Sequence, residues 1–208
     1  MPLGIFLIFG SKQSYKTTII QPEKVIWHLF IGGDLNAFST LFREYYPLLH
    51  NYGYKISANL DLTEDCLQDF FIYLFENRKK LGEVHNIKAY VFVAFRRAIF
   101  KSLKRERRFT DLEGALETLS KFEFSPEEIA MEQELVSARS EVLVQVLNGL
   151  SKREREVVYL KYYSDLKTKE ISEVMGISYQ SVLNTLQKAF SKLRDSVESQ
   201  VIRQILQR

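Results

Sequence analysis

The chain has 208 residues, 46% apolar and 13% aromatic, which suits one medium domain or two small ones and excludes a globally disordered chain. Its formal net charge of +3 neither demands nor excludes a polyanionic partner, so the distribution of charge along the chain carries the information. The single cysteine, Cys66, excludes an intrachain disulfide and a common structural zinc site, and it fits a reducing, cytoplasmic setting.

Residues 1–22 read as a loosely ordered extension. The apolar run Ile5–Phe9 is far short of the roughly 20 residues a membrane span requires, and it lacks the charges and cleavage site of a signal peptide. Gly10–Thr17 nearly matches a phosphate-binding loop. However, Tyr15 stands where the second glycine belongs, and a side chain there obstructs backbone approach to phosphate. Pro22 leaves no room for the long helix that would hold the nucleotide. A nucleotide-dependent enzyme using Lys16 and Thr17 is therefore the weaker rival.

From Glu23 onward the periodicity is helical, with no convincing strand alternation. The expected fold is all-α: two small helical domains joined by an acidic linker, the C-terminal one a helix-turn-helix. The boundaries fall at 23–109, 110–134 and 135–208. Asp61-x-x-Glu64, Ser125-Pro126-Glu127-Glu128 and Ser151-x-x-Glu154 resemble capping boxes.

The first domain comprises two aromatic-rich helical regions, about 23–52 and 61–108. Trp27, Ile26 and Phe30 read as core. On the helix from near Asp61, Leu67, Phe70, Phe71 and Leu74 form the inward stripe. Asp65, Asp69, Ile72 and Glu76 lie opposite, with Gln68 on the flank. An isoleucine on an acidic face is either an ordinary exposed residue or part of an interface patch with a polar rim. From Lys88 to Arg108, Phe92, Phe95, Ile99 and Leu103 point inward. Arg97, Lys101, Lys104, Arg105 and Arg108 form an outward stripe that Tyr90 continues. A single-sign stripe on one helical side suits a phosphate track. The segment 110–134 holds eight acidic residues and one lysine.

In the last domain a short helix ends near Met175, Gly176 turns the chain, and a new helix starts at Ser178 or Tyr179. Val182, Leu186, Ala189, Phe190 and Leu193 share one face of that helix. Gln180, Asn184, Gln187, Lys188 and Ser191 share the other, flanked by Ser181, Thr185 and Lys192. Amides can read adenine edges and lysines can neutralise phosphates. An ordinary helical hairpin with a solvated polar face has the same spacing.

Residues 150–194 resemble the fourth conserved region of extracytoplasmic-function sigma factors. The first domain resembles their second region through Gly33-Asp34-x-x-Ala37-Phe38, Glu64-Asp65-Cys66-Leu67-Gln68-Asp69-x-Phe71 and Ile87-Lys88-Ala89-Tyr90-Val91-Phe92. The resemblance spans about 24–194, in order. It implies polymerase binding through Asp65, Gln68 and Asp69, which favours the interface reading of Ile72 on the same face. It also implies −10 recognition through Tyr90, Arg97, Lys101, Lys104, Arg105 and Arg108, with a loop at about 78–87 that captures an extruded base. The −35 element falls to Lys169, Tyr179, Gln180, Ser181, Asn184, Thr185, Lys188 and Lys192. The implied partners are core RNA polymerase, promoter DNA and an anti-sigma protein, often membrane-anchored. Arg97 stands where many members carry asparagine, and Leu183 and Thr185 where many carry basic residues.

No catalytic or metal constellation accompanies these motifs: His28, His50 and His85 are widely separated, and Cys66 has an acidic setting that disfavours a thiolate. No enzyme, cofactor or small-molecule substrate is expected. The remaining rival is a stand-alone helix-turn-helix regulator whose first domain senses a ligand or dimerises.

Overall fold

The computed structural model describes residues 23–107, 122–126 and 137–206. The 1–22 extension with its phosphate-loop-like run, Arg108, most of the acidic linker and the box beyond Pro126 lie outside the described residues. In order, the helices are α1 (Glu23–Gly32), α2 (Leu35–Ser57), α3 (Leu60–Glu76), α4 (Ile87–Arg107), α5 (Ser137–Asn148), α6 (Lys152–Tyr162), α7 (Thr168–Met175) and α8 (Tyr179–Leu206). A short 3-10 turn, Arg78–Lys80, follows α3. Among the described residues there is no strand, in line with the all-α expectation.

The aromatic helical region expected at 23–52 consists of α1 and most of α2. Gly33 takes a φ of +98°, a conformation open to glycine at little steric cost. Asp34 then caps α2 by accepting the Ala37 amide at 2.8 Å. The next helix also starts earlier than expected. Asn59, not Asp61, is the cap of α3, and its side chain accepts the Leu62 amide at 3.1 Å. The turn between them is fastened by the Ser57 and Thr63 hydroxyls, 2.8 Å apart. A side-chain cap of this kind typically contributes about 1 kcal/mol.

The chain divides into two compact units. Among the described residues, one gathers 23–107 and 122 with 166–179, so α1 to α4 are joined by α7. Its core is aromatic: Trp27, Phe30, Tyr45, Tyr52, Phe92 and Phe95 are all buried. Each such side chain contributes roughly 1.5–3 kcal/mol on leaving water. The inward stripes of α3 (Leu67, Phe70, Phe71, Leu74) and α4 (Phe92, Phe95, Ile99, Leu103) are buried as their spacing predicts. Gly53 lets α2 approach closely. A Cβ there would lie 2.9 Å from the Phe95 ring and from Thr63 Cγ2.

The other unit contains, among the described residues, 123–126, 137–165 and 180–206. Asn148, at the end of α5, clamps the backbone of Phe124 by accepting its N–H at 2.9 Å and donating to its carbonyl at 3.0 Å. The Phe124 ring then packs at 5.3 Å from that of Tyr163. At the start of α6 the expected capping box is present. Ser151 Oγ accepts the Glu154 amide and Glu154 Oε2 accepts the Ser151 amide.

Candidate polymerase and nucleic-acid interfaces

Helix α3 buries one stripe and so turns Asp65, Gln68, Asp69 and Ile72 outward together, all of them exposed. Ile72 keeps 48% of its surface in solvent. Beside it runs a groove of about 350 Å³ lined by Phe38, Phe42, Gln68, Phe71, Ile72 and Glu76. Phe42, 38% exposed, packs at 4.9 Å from Tyr46 and 4.8 Å from Phe71. Sequence reading found the acidic face but missed the α2 wall of this groove. The four-residue spacing of Phe38, Phe42 and Tyr46 was the available signal.

On α4, Arg97, Lys101, Lys104 and Arg105 are exposed on the side away from the core, while Tyr90 is half-buried. Burial, and secondarily the nearby Tyr73, push the Tyr90 phenol above its ordinary value, so it stays a neutral donor and acceptor. The Trp27 ring meets it edge-on at 5.4 Å. Asp69, Tyr73, Tyr90, Lys101 and Arg105 line one cleft of about 300 Å³ between α3 and α4. Residues expected to touch polymerase and residues expected to touch DNA therefore form the walls of a single feature. Cys66 sits at its floor. Burial, the main cause, raises its thiol, and the Ser102 hydroxyl lies 3.9 Å away. The cysteine is thus an inert packing residue.

The loop preceding α4 is anchored rather than free. Trp27 Nε1 donates to the Gly82 carbonyl at 3.2 Å. Arg78 stacks its guanidinium over Phe75 at 4.3 Å and donates to the Phe75 carbonyl at 2.7 Å.

In the helix-turn-helix, α7 ends at Met175 and Gly176 adopts a φ of +63°, as its position in the sequence predicts. On α8, Val182, Leu186, Ala189 and Leu193 are buried, whereas Phe190 is half-buried. Tyr179, Gln180, Asn184, Gln187 and Lys188 are exposed, as is Lys169 on α7; Ser181 and Thr185 are half-buried. Two of these side chains are paired to each other: Gln180 Nε2 donates to Asn184 Oδ1 at 2.9 Å. The Thr185 hydroxyl donates to the Ser181 carbonyl at 2.7 Å. Lys192 points its ammonium at Glu154, reaching both carboxylate oxygens at 2.9 and 2.8 Å. Burial raises the Glu154 carboxyl, but donation from Lys192 and from Ser151 outweighs it and the net shift is downward. No local pattern announces this pair, because its members lie 38 positions apart.

Among the described residues no group of three or more His, Cys, Asp or Glu side chains could hold a metal ion. No helix among them is long and apolar enough to cross a membrane. A basic, outward helical stripe in one unit and a helix-turn-helix with an amide-rich face define a bipartite, helical DNA-binding factor.

The comparisons with known proteins make that class specific. Residues 41–109 match the family Sigma-70 region 2, and residues 140–193 match Sigma-70, region 4. Together they cover more than half of the chain, in the order that the motifs predict. The RNA polymerase sigma factor YlaC of Bacillus subtilis (strain 168) is 23% identical over 164 residues, covering 78% of this chain and 92% of that protein. The RNA polymerase sigma-E factor of Streptomyces avermitilis is 33% identical over 58 residues, 28% of this chain and 32% of that protein. Two solved structures share the fold. CnrH in complex with the cytosolic domain of CnrY has a TM-score of 0.57 at 18% identity, over 85% of this chain and 97% of that one. The sigma factor RpoE of Bartonella quintana, in complex with the anti-sigma factor NepR, has a TM-score of 0.56 at 20% identity, over 77% and 96%. The chain belongs to the RNA polymerase sigma factors of the extracytoplasmic-function type, and it is an alternative sigma factor. A stand-alone regulator finds no support in these matches.

Proposed function

We propose that α3 docks core RNA polymerase while α4 and the helix-turn-helix address the −10 and −35 promoter elements. The observation that carries this reading is the joint exposure of Asp65, Gln68, Asp69 and Ile72 beside an aromatic groove. An apolar centre with a polar rim is the anatomy of a protein–protein interface. Along α4, Arg97, Lys101, Lys104 and Arg105 neutralise phosphates, and Tyr90 offers a ring for an unstacked base. On α8 the Gln180–Asn184 pair reads base edges, with Tyr179, Ser181 and Thr185 at its margins. Lys169 and Lys188 hold the backbone. Lys192 serves α8 itself first, through Glu154. Two modest modules on one chain suffice, because the first contact makes the second effectively intramolecular.

The protein acts without catalysis, in the cytoplasm, and an anti-sigma protein holds it in check. The structural neighbours solved with CnrY and NepR support that last point.

The test is binding to purified core polymerase. Replacing Asp65 and Gln68 with alanine is expected to weaken association by ~2 kcal/mol, about 30-fold. Thermal stability should change by no more than ~0.5 kcal/mol, since both side chains are exposed. Unaltered polymerase binding would remove this face from the interface.

A further inference from the structure

Helix α8 carries no charged side chain before Lys188, so its opening turns offer DNA only amides, hydroxyls and apolar groups. Their outward side holds two adjoining rows. One is the amide pair, in which Gln180 Nε2 donates to Asn184 Oδ1 at 2.9 Å. The other is apolar: Tyr179 and Leu183 are 52% and 36% exposed, and their four-residue spacing sets them on one side of the helix. A leucine alone on a surface is ordinary. Leu183 differs in its setting, because Asn184, Gln180 and Gln187 are exposed around it, while Val182 and Leu186 are buried beneath. It is an apolar group on the very surface proposed to meet base edges.

Each row matches one base of an A·T pair. The bond within the amide pair consumes one Gln180 N–H and the Asn184 carbonyl. It leaves the Gln180 carbonyl as an acceptor and the Asn184 amino group as a donor. Adenine presents the complement in the major groove, an N6 donor beside the N7 acceptor. Guanine presents two acceptors there, and its O6 would be set against the Gln180 carbonyl. The arginine or lysine that commonly reads guanine is missing from these turns. Thymine alone carries a C5 methyl, which apolar side chains meet. We infer that Leu183 is a specificity-determining residue: it packs on a thymine C5 methyl of the −35 element, beside an adenine held by Gln180 and Asn184. This role rests on the proposed assignment of α8 to that element. Side chains three positions apart on a helix are separated by about 5–6 Å at Cβ, and one base step is about 3.4 Å. The thymine and the adenine therefore fall within about two base steps of each other. Lys188, one turn beyond Asn184, supplies the phosphate contact and leaves the readout itself uncharged.

The experiment uses holoenzyme made with the full chain. A randomised −35 library gives the preferred element, and A·T pairs are expected at the positions that Asn184→Ala and Leu183→Ala relax. Each thymine of that element is then replaced in turn by deoxyuridine, which removes the C5 methyl and leaves base pairing intact. At one position the parent should bind about fourfold more weakly, the worth of one buried methyl group. Leu183→Ala should bind thymine and uracil alike at that position. Leu183→Met, whose side chain still reaches the methyl, should keep the discrimination. The salt slope of Leu183→Ala should equal that of the parent, because no charge is lost. A parent indifferent to deoxyuridine at every position would overturn the role of Leu183. So would a Leu183→Ala holoenzyme that still tells thymine from uracil, or a library that returns G·C pairs at these positions. Holoenzyme without any −35 preference would overturn the proposed function and this role with it, whereas an intact preference without methyl sensitivity overturns this role alone.

Discussion

The two helices proposed to face DNA, α4 and α8, present polar side chains over a buried stripe but are held in place by different means. Beneath α4 lies a continuous aromatic core, with Phe92 and Phe95 fully buried and the α2 backbone drawn close at Gly53. The outward charges of α4 rest on packing. Part of α8 rests instead on electrostatics, since Lys192 is fixed on Glu154, which is itself woven into the α6 capping box. The lesson is that a basic residue on a helix is not by itself a free phosphate contact. Arg97 and Lys101 stand exposed on α4, whereas Lys192 works within the fold.

The comparison breaks most sharply at Gly53. Gly53→Ala places a methyl 2.9 Å from the Phe95 ring and Thr63 Cγ2. We expect a loss of ~1–3 kcal/mol from overpacking, read by urea unfolding of the first unit, with the unit of α5, α6 and α8 spared. Equal destabilisation of both units would mean that α4 and α8 do not have separate supports.

The corresponding break under α8 is Glu154→Gln. It weakens the capping box and the Lys192 pair together, for an expected cost of ~1–2 kcal/mol, discounted because the Lys192 side chain is 54% exposed. The sign with pH is definite. Because the folded Glu154 is shifted downward, its contribution is complete above the ordinary carboxylate range and is lost as pH falls through the depressed value. Parent and variant should converge in stability on the acid side. A constant difference at all pH values would show that the carboxylate charge is not what matters.

A finer distinction concerns reading. Since Gln180 and Asn184 are hydrogen-bonded to each other, alanine at either is expected to relax −35 preference, and the two losses should be non-additive by ~0.5–1 kcal/mol. Holoenzyme binding to a randomised −35 library measures this. Lys188→Ala, by contrast, should lower affinity for all sequences and reduce the salt slope by ~0.9. The smallest effect is expected at Tyr45, whose buried hydroxyl has no hydrogen-bond partner among the described residues. Tyr45→Phe should leave stability within ~0.5 kcal/mol of the parent or raise it. A larger loss in thermal unfolding would show that the hydroxyl supports the core beneath α4.

Sequence periodicity made the core stripes legible because burial repeats every 3.6 residues, and it located Gly176 because positive φ has few alternatives. It did not separate α1 from α2, where Asp34 and Gly33 sit within an otherwise continuous apolar pattern. Nor did it choose Asn59 over Asp61, since both residue types cap helices well and only the Leu62 amide decides. At the interfaces, the outward residues of α3, α4 and α8 could be enumerated from phase alone. What escaped was the pairing of distant positions, Lys192 with Glu154, because nothing in the neighbouring residues encodes it.

Trp27 is the only tryptophan in the chain, and its surroundings turn it into a built-in optical probe. Its indole N–H is bound to the Gly82 carbonyl in the loop before α4, and its ring lies edge-on to Tyr90. Intrinsic emission excited at the indole band therefore comes from one buried site that touches both that loop and an expected DNA contact. Melting of the first unit shifts that emission, whereas melting confined to α5, α6 and α8 is silent. The proposed promoter contact at Tyr90 is therefore expected to alter that emission without an added fluorophore.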